Sequence, residues 1–254
     1  MTLLGPSEPP PYVVEHDHGA SPFFFTCDHG GRAIPAALGD LGVSESERRR
    51  HIAWDIGVAE LGKRLAARLD AFLITQTYSR LVIDCNRHPG SPQSIVTVSE
   101  RTAIPGNEAL SDADRAARAS EIFYPYHDRI VRELEARAAR GQDTVLITLH
   151  SFTPVYMDNA RAMQCGVLYN RDARLARALL AELRAEGNLV VGDNEPYAAT
   201  EATDYALVVH GERRGLLQVE VEVRQDLIEH AAGQESWAVR LERVLPRALS
   251  MVER

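Results

Sequence analysis

Two histidines end two of the most apolar runs in the sequence. The stretch "FFFTCDHGGRAIP" at residues 23–35 sets Asp28 and His29 after three phenylalanines and follows them with Gly30 and Gly31. The stretch "DTVLITLHSF" ends the same way, in His150 and Ser151. One strand-terminal histidine is ordinarily a core residue. Two, with acids and arginines at the ends of other expected strands, indicate a site, because such ends deliver polar side chains to a ligand. A catalytic zinc takes three protein ligands, His or carboxylate, and keeps a fourth position open. His29 and His150 are the best-placed imidazoles. Asp55, in "HIAWDIGVAEL", is the candidate carboxylate, since an acid among apolar neighbours needs a partner if buried. A capping or surface acid on a helix is the equal alternative for Asp55. His51, four residues earlier, and His127, in "YPYHDRI", rank below these three as ligands.

Hydrolysis also needs a base. In "LLQVEVEVRQDLI", Glu220, Glu222 and Arg224 alternate along one face of an expected strand, so that face is solvated or belongs to a site. Glu222 lies nearer the carboxyl end, where a ligand binds in an open α/β sheet, and is preferred over Glu220 as the base. Asp84, Asn86 and Arg87 follow the run "LVIDCNR", and Asp193, Asn194 and Glu195 follow "NLVVGD". If the sheet is parallel, these groups share one edge. No nucleophile elbow, phosphate-binding loop or dinucleotide fingerprint competes with this reading.

The elements that must position these residues alternate. Strands are expected at "SPFFFTC", "AFLITQTYS", "LVIDCNR", "DTVLITLHSF", "CGVLYN", "NLVVGDNEPY" and "LLQVEVEVRQDLI". Ser44 with Glu47 forms a capping box that opens a helix reaching Leu69, which would carry both His51 and Asp55. Ser111 with Asp114 opens another helix, in which Pro125 marks a kink or a new start. A helix over 172–186 and a final amphipathic helix complete the pattern, with a short helix or strand at "ATDYALVVHGERRG". This alternation predicts one three-layer α/β domain over residues 21–254, with a mostly parallel, helix-covered central sheet. Residues 1–20, rich in proline, read as an extended lead-in; His16 and His18 there are read as solvated.

Composition narrows the function. The chain has 254 residues and a formal net charge of −8, which leaves no cationic excess for neutralising phosphates and excludes a general nucleic-acid binder. Three widely spaced cysteines, Cys27, Cys85 and Cys165, form no CxxC pair and are expected as reduced thiols. With no signal-peptide pattern and no apolar run of membrane-spanning length, a cytoplasmic protein without membrane attachment is expected.

Seven pieces in order, "DHGGRAIP", "WDIG", "YSRLVIDCNR", "YPYHDRI", "LHSFTP", "GDNEPY" and "VEVRQDLI", resemble the N-formylglutamate amidohydrolase family. That family is similar to the zinc carboxypeptidase-like α/β hydrolases. The resemblance spans residues from about 21 to 230 and implies a zinc-peptidase-like fold, with one Zn²⁺ per chain held by His29, Asp55 and His150. Where the carboxypeptidase pattern places an acid three residues after the first histidine, this chain has Arg32. The resemblance further implies Glu222 as general base and Arg80 as a catalytic residue that also clamps a substrate carboxylate. Asn86, Arg87, Arg224, Ser151 and Asn194 are implied as binding residues for a small acidic N-acyl amino acid, arginine's planar fork suiting carboxylates. The activity implied is hydrolysis of the amide of an N-formylglutamate-like substrate. A metallo-carboxypeptidase or other deacylase of the same fold, or a binding protein that has lost catalysis, are the alternatives.

Overall fold

Seven strands form the central sheet of the computed structural model, which describes residues 2–252. They are β1 (Tyr12–Glu15), β2 (Phe23–Cys27), β3 (Phe72–Gln76), β4 (Val145–Phe152), β5 (Cys165–Leu168), β6 (Val191–Asp193) and β7 (Leu217–Arg224). Their order across the sheet is β1-β3-β2-β4-β7-β5-β6. The four inner strands β3, β2, β4 and β7 run parallel. β1 is antiparallel to β3, and β5 is antiparallel to β7 while β6 runs parallel to β5. The sheet is thus mostly parallel, and the extended lead-in contributes its edge strand.

Period-two alternation divides the inner strands between two layers. Phe23, Phe25 and Cys27, with Val145, Ile147 and Leu149 and with Val219, Val221 and Val223, all enter one core. The helices α2 (Val58–Leu69), α5 (Arg174–Ala185) and α6 (Ala231–Val252) close over that face. On the other face, Phe24, Phe72, Ile74 and Leu146 pack under Ile122, Phe123, Tyr126 and Ile130. Those residues belong to a helical stretch made of α3 (Asp112–Arg118), a π-helical turn and α4 (Tyr124–Ala139), in which Pro125 sits in the first turn of α4. Along this second face each inner strand changes character. Phe24 gives way to Thr26, Leu146 to Thr148 and His150, and Gln218 to Glu220 and Glu222, all of them buried. The polar half of the face is where the sheet stops being core.

Two expected elements are different in the structure. "LVIDCNR" is a buried loop without strand pairing. Buried carbonyls must find donors, and here side chains supply them. Asn107 donates to the carbonyls of Leu81 and Val96 at 2.8 and 2.7 Å. The buried Arg118 donates to the carbonyls of Val82 and Gly106 and, at 2.6 Å, to the side-chain oxygen of Asn107. Burial lowers the Arg118 guanidinium to about 10. The long helix expected over 44–69 is likewise broken. Ser44 caps only the short α1 (Glu45–Arg48); residues 50–57 form turns, and α2 starts after Gly57. Gly57 has φ 81°, and a Cβ there would lie 2.0 Å from the carbonyl oxygen of Ile228. Close backbone approach in a left-handed conformation stops the helix. Asp55 therefore stands on a turn, and no helix joins it to His51.

Candidate metal centre and substrate cavity

His29 leaves the end of β2 and enters a glycine pair that has a steric cause. A Cβ on Gly31 would lie 2.0 Å from the Thr77 carbonyl oxygen, and one on Gly30 would lie 2.4 Å from the Thr75 methyl carbon. The chain can turn His29 off the sheet only by pressing its backbone against the end of β3. The turn that bears Asp55 then docks on the histidine itself, with the Asp55 amide donating to the His29 carbonyl at 2.9 Å. Ser79 and the Arg80 amide hold the same turn through the Ala53 carbonyl, at 2.7 and 3.2 Å. His150 and Ser151 come from the last residues of β4, where Glu222 of β7 is the register partner of His150.

Three donor atoms converge at the centre. His29 Nδ1 lies 3.7 Å and His150 Nδ1 3.0 Å from the same oxygen, Oδ2 of Asp55. The ligand-capable atoms of this buried trio all lie within 4.8 Å of one another. Tetrahedral zinc with bonds of about 2.0–2.1 Å separates its ligands by about 3.3 Å, so the two spacings bracket what such an ion asks for. A metal-binding imidazole also wants a partner on its outer nitrogen that fixes its tautomer, and His29 has one, whereas the buried Nε2 of His150 has none within hydrogen-bond distance. His29 Nε2 faces Asp84 Oδ1 at 2.7 Å, which leaves its buried Nδ1 without a hydrogen-bond partner. His150 Nε2 faces Glu220 Oε2 at 3.8 Å and Asp28 Oδ2 at 3.9 Å. The donor set and its supports fit a divalent metal ion.

The carboxylates in and around the trio are shifted in opposite directions. Burial opposes ionisation of Asp55 and Asp84, yet their polar neighbours overcome it. His29 and His150 hold Asp55 low, and Arg80, with His29, holds Asp84 well below the usual carboxylate range. Burial raises Asp28, whose Oδ1 accepts the Tyr126 hydroxyl at 2.6 Å. It also raises Glu220, with Asp204 adding to the effect, while the Thr148 hydroxyl donates to Glu220 at 3.2 Å. Glu222 is pushed up to about 7, by burial first and by Asp55 among its neighbours; its buried Oε2 has no hydrogen-bond partner.

A cavity of about 580 Å³ opens over this floor, lined by His29, Asp55, Arg80, His150 and Glu222 together with Asn86, Arg87 and Ser151. Arg80 donates to Asp84 Oδ2 at 2.7 Å and lies 3.6 Å from Asp55. Arg87 spends donors on the backbone carbonyls of Asn86 and Thr203. The Asn86 side chain accepts from the Ala206 amide and faces Asp204, bracing the segment across the cavity. Ser151 donates its hydroxyl to the Ile56 carbonyl, and its amide binds Asp55.

Two implied binding residues are not brought here. Because β5 and β6 run against the inner strands, the carboxyl end of β6 lies at the opposite edge. Asn194 turns the chain there at φ 51°, its side chain accepting from the Tyr169 amide at 2.9 Å. Arg224 is paired in two-pronged fashion with Asp226 and donates to the carbonyls of Arg161, Ala162 and Met163. Of the lower-ranked histidines, His51 reaches the cavity wall against Glu100 at 3.2 Å. His127 is buried elsewhere, between the Cys85 carbonyl and His210, each at 2.9 Å. Asp84, the support of His29, and Tyr156 and Tyr197 in the wall lie outside the set of site residues expected from the sequence. Asp84 carries a signal in its place beside Asn86 and Arg87; the two tyrosines carry none.

The sequence profile of the N-formylglutamate amidohydrolase family matches residues 21–229. Among solved structures, the gene product Atu2144 from Agrobacterium tumefaciens is similar at 38% identity and a TM-score of 0.96, covering 99% of this chain and 100% of that one. N-formylglutamate amidohydrolase from Ralstonia eutropha JMP134 shares the fold at a TM-score of 0.68 and 19% identity, covering 96% of this chain and 97% of that one. The curated proteins offer no significant match. No helix among the described residues is long and apolar enough to cross a membrane. With a profile spanning most of its length and a relative of 38% identity along nearly all of it, the chain belongs to the N-formylglutamate amidohydrolase family.

Proposed function

We propose that this chain is a zinc-dependent amidohydrolase that cleaves the amide of an N-acyl amino acid of the N-formylglutamate class. The observation that carries the reading is the meeting of two buried Nδ1 atoms and Asp55 beside the unpartnered Oε2 of Glu222 in one cavity. His29, Asp55 and His150 would hold the metal. When bound, it supplies Lewis acidity and makes water a stronger acid.

The chain's own residues do the rest. Glu222 takes a proton from the attacking water at Oε2 and returns it to the amide nitrogen as the carbon–nitrogen bond breaks. One water is consumed, and the products are a carboxylate, formate for a formyl group, and a free amine. Arg80 is fixed by Asp84 and Asp55, so its guanidinium is pre-aimed at negative charge developing on the acyl oxygen. Arg87, which no carboxylate among the described residues pairs, is available to a substrate carboxylate.

The test is zinc content and turnover of N-formyl-L-glutamate in the parent, Glu222→Gln and Glu220→Gln. Expected are about one zinc per chain throughout and a loss of roughly 10²–10⁴-fold in Glu222→Gln. Parent protein that binds no zinc, or hydrolyses no N-acyl amino acid, refutes the reading. Full turnover by Glu222→Gln with an inactive Glu220→Gln moves the base to Glu220.

A further inference from the structure

Three rings of the cavity wall hold behind them a guanidinium that neither the implied binding set nor the proposed reaction uses. Arg161 follows a small hairpin formed by Val155–Tyr156 and Asn159–Ala160. Its guanidinium carbon stands 4.7 Å from the ring centre of Tyr197, 4.9 Å from that of Tyr156 and 5.7 Å from that of Phe152. All three rings line the cavity. No carboxylate among the described residues pairs with Arg161. Its guanidinium donates from NH1 to the Thr153 carbonyl at a long 3.4 Å and lies in hydrogen-bond reach of the Tyr197 hydroxyl.

Aromatic faces stabilise a guanidinium through its flat sides and do not occupy its in-plane N–H donors, five in number and only partly used here. A half-buried cation held this way, without a counter-ion, is arranged to accept one. The segment behind it is braced. Arg224 donates to three successive carbonyls, those of Arg161, Ala162 and Met163, while its own charge is matched by Asp226. Tyr197, one of the rings around Arg161, lines the same cavity as Glu222.

We propose that Arg161, caged by Tyr156, Tyr197 and Phe152, is a specificity-determining residue that takes a carboxylate of the substrate at the cavity rim, with Arg224 as a positioning residue behind it. The proposal rests on the amidohydrolase reading and names the group that recognises the acidic part of the molecule. It differs from the expectation for Arg224, whose charge is already neutralised.

The experiment compares the zinc-loaded parent and Arg161→Gln on three compounds: N-formyl-L-glutamate, N-formyl-L-glutamine and N-formyl-L-isoglutamine. The last two each replace one carboxylate by an amide. Arg161→Gln is expected to raise KM for N-formyl-L-glutamate by about 10- to 100-fold, the range for a charge-assisted hydrogen bond, with kcat little changed. With one of the two mono-amides, parent and variant should perform alike, which identifies the carboxylate that Arg161 holds. A penalty of equal size on all three compounds, a fall in kcat without a rise in KM, or no penalty at all overturns the proposal. If the parent hydrolyses none of them, the amidohydrolase reading fails, and calorimetric binding of L-glutamate decides the subsite. Binding weakened at least tenfold in Arg161→Gln supports it; equal binding, or none, overturns it.

Discussion

Asp84 offers the sharpest test of how the centre is built. Its Oδ1 accepts from His29 Nε2 at 2.7 Å and from the Asn86 amide at 2.8 Å, and its Oδ2 accepts from Arg80 at 2.7 Å. The carboxylate keeps the His29 proton on Nε2 and so leaves Nδ1 free for a metal. Asp84→Asn removes the charge and retains the shape. A hydrogen bond to a charged group contributes about 1.5–3 kcal/mol, and loss of a support behind a metal-binding histidine costs about 10- to 100-fold in metal affinity. Tenfold corresponds to about 1.4 kcal/mol, so the two routes agree on a loss of about 1.5–3 kcal/mol in zinc binding. The assay is zinc titration against a chromophoric chelator, with far-ultraviolet circular dichroism confirming the fold. Zinc affinity unchanged in a folded Asp84→Asn protein would refute the assignment of Nδ1 as the ligand atom. Arg80 loses its closest partner in the same variant, so turnover at saturating zinc should also fall.

Gly57→Ala should destabilise the protein by about 2–4 kcal/mol, combining backbone strain with overpacking, because its Cβ would meet the Ile228 carbonyl oxygen at 2.0 Å. Thermal unfolding checks this, and an unchanged Tm argues against that contact. His210 provides a pH signature: burial, with Arg214 adding to it, lowers the imidazole to about 3, against about 6.5 in an unfolded chain. As pH falls through 6.5 only the unfolded chain takes this proton, so stability drops, reaching a loss of about 2 kcal/mol at pH 5. Urea unfolding of His210→Gln should start below the parent at pH 8 and close the gap by about 2 kcal/mol at pH 5; a pH-independent gap refutes the neutral buried imidazole.

The strands that build the floor were legible because their residues obey period two. Phe24, Leu146 and Gln218 alternate with core positions as the pleat requires, and the switch to Thr26, His150 and Glu222 marks the edge where the site lies. The loop at Leu81–Arg87 was not legible, because it is as apolar as a strand and is held by Asn107 and Arg118 from elsewhere in the chain. Nothing local announces such donors. The break before α2 depends on the Ile228 carbonyl, equally remote in sequence. Strand direction was the third gap: "CGVLYN" reads the same either way, and its reversal beside β7 carries Asn194 off to the other edge. Arg161 carries no local signal, because its meaning lies in three rings from distant places: Phe152 at the end of β4, Tyr156 in the hairpin and Tyr197 in a later loop.

That reversal of β5 also governs how this enzyme can change. Val223 of β7 pairs with Ser151 of β4 on one side and with Cys165 of β5 on the other. The chain therefore leaves the sheet and re-enters it at the same edge, two strand spacings apart, about 10 Å. A parallel β5 would have forced residues 153–164 into a crossover helix along the whole sheet. As built, the segment that bears Tyr156 and Arg161 is a short bridge over the mouth of the cavity. Lengthening such a bridge is cheap, about 0.6 kcal/mol per doubling, and leaves the strand register undisturbed. Natural variation in which acids are accepted should therefore collect in this bridge, as insertions and exchanged side chains, while the three donor residues below stay where the inner strands put them.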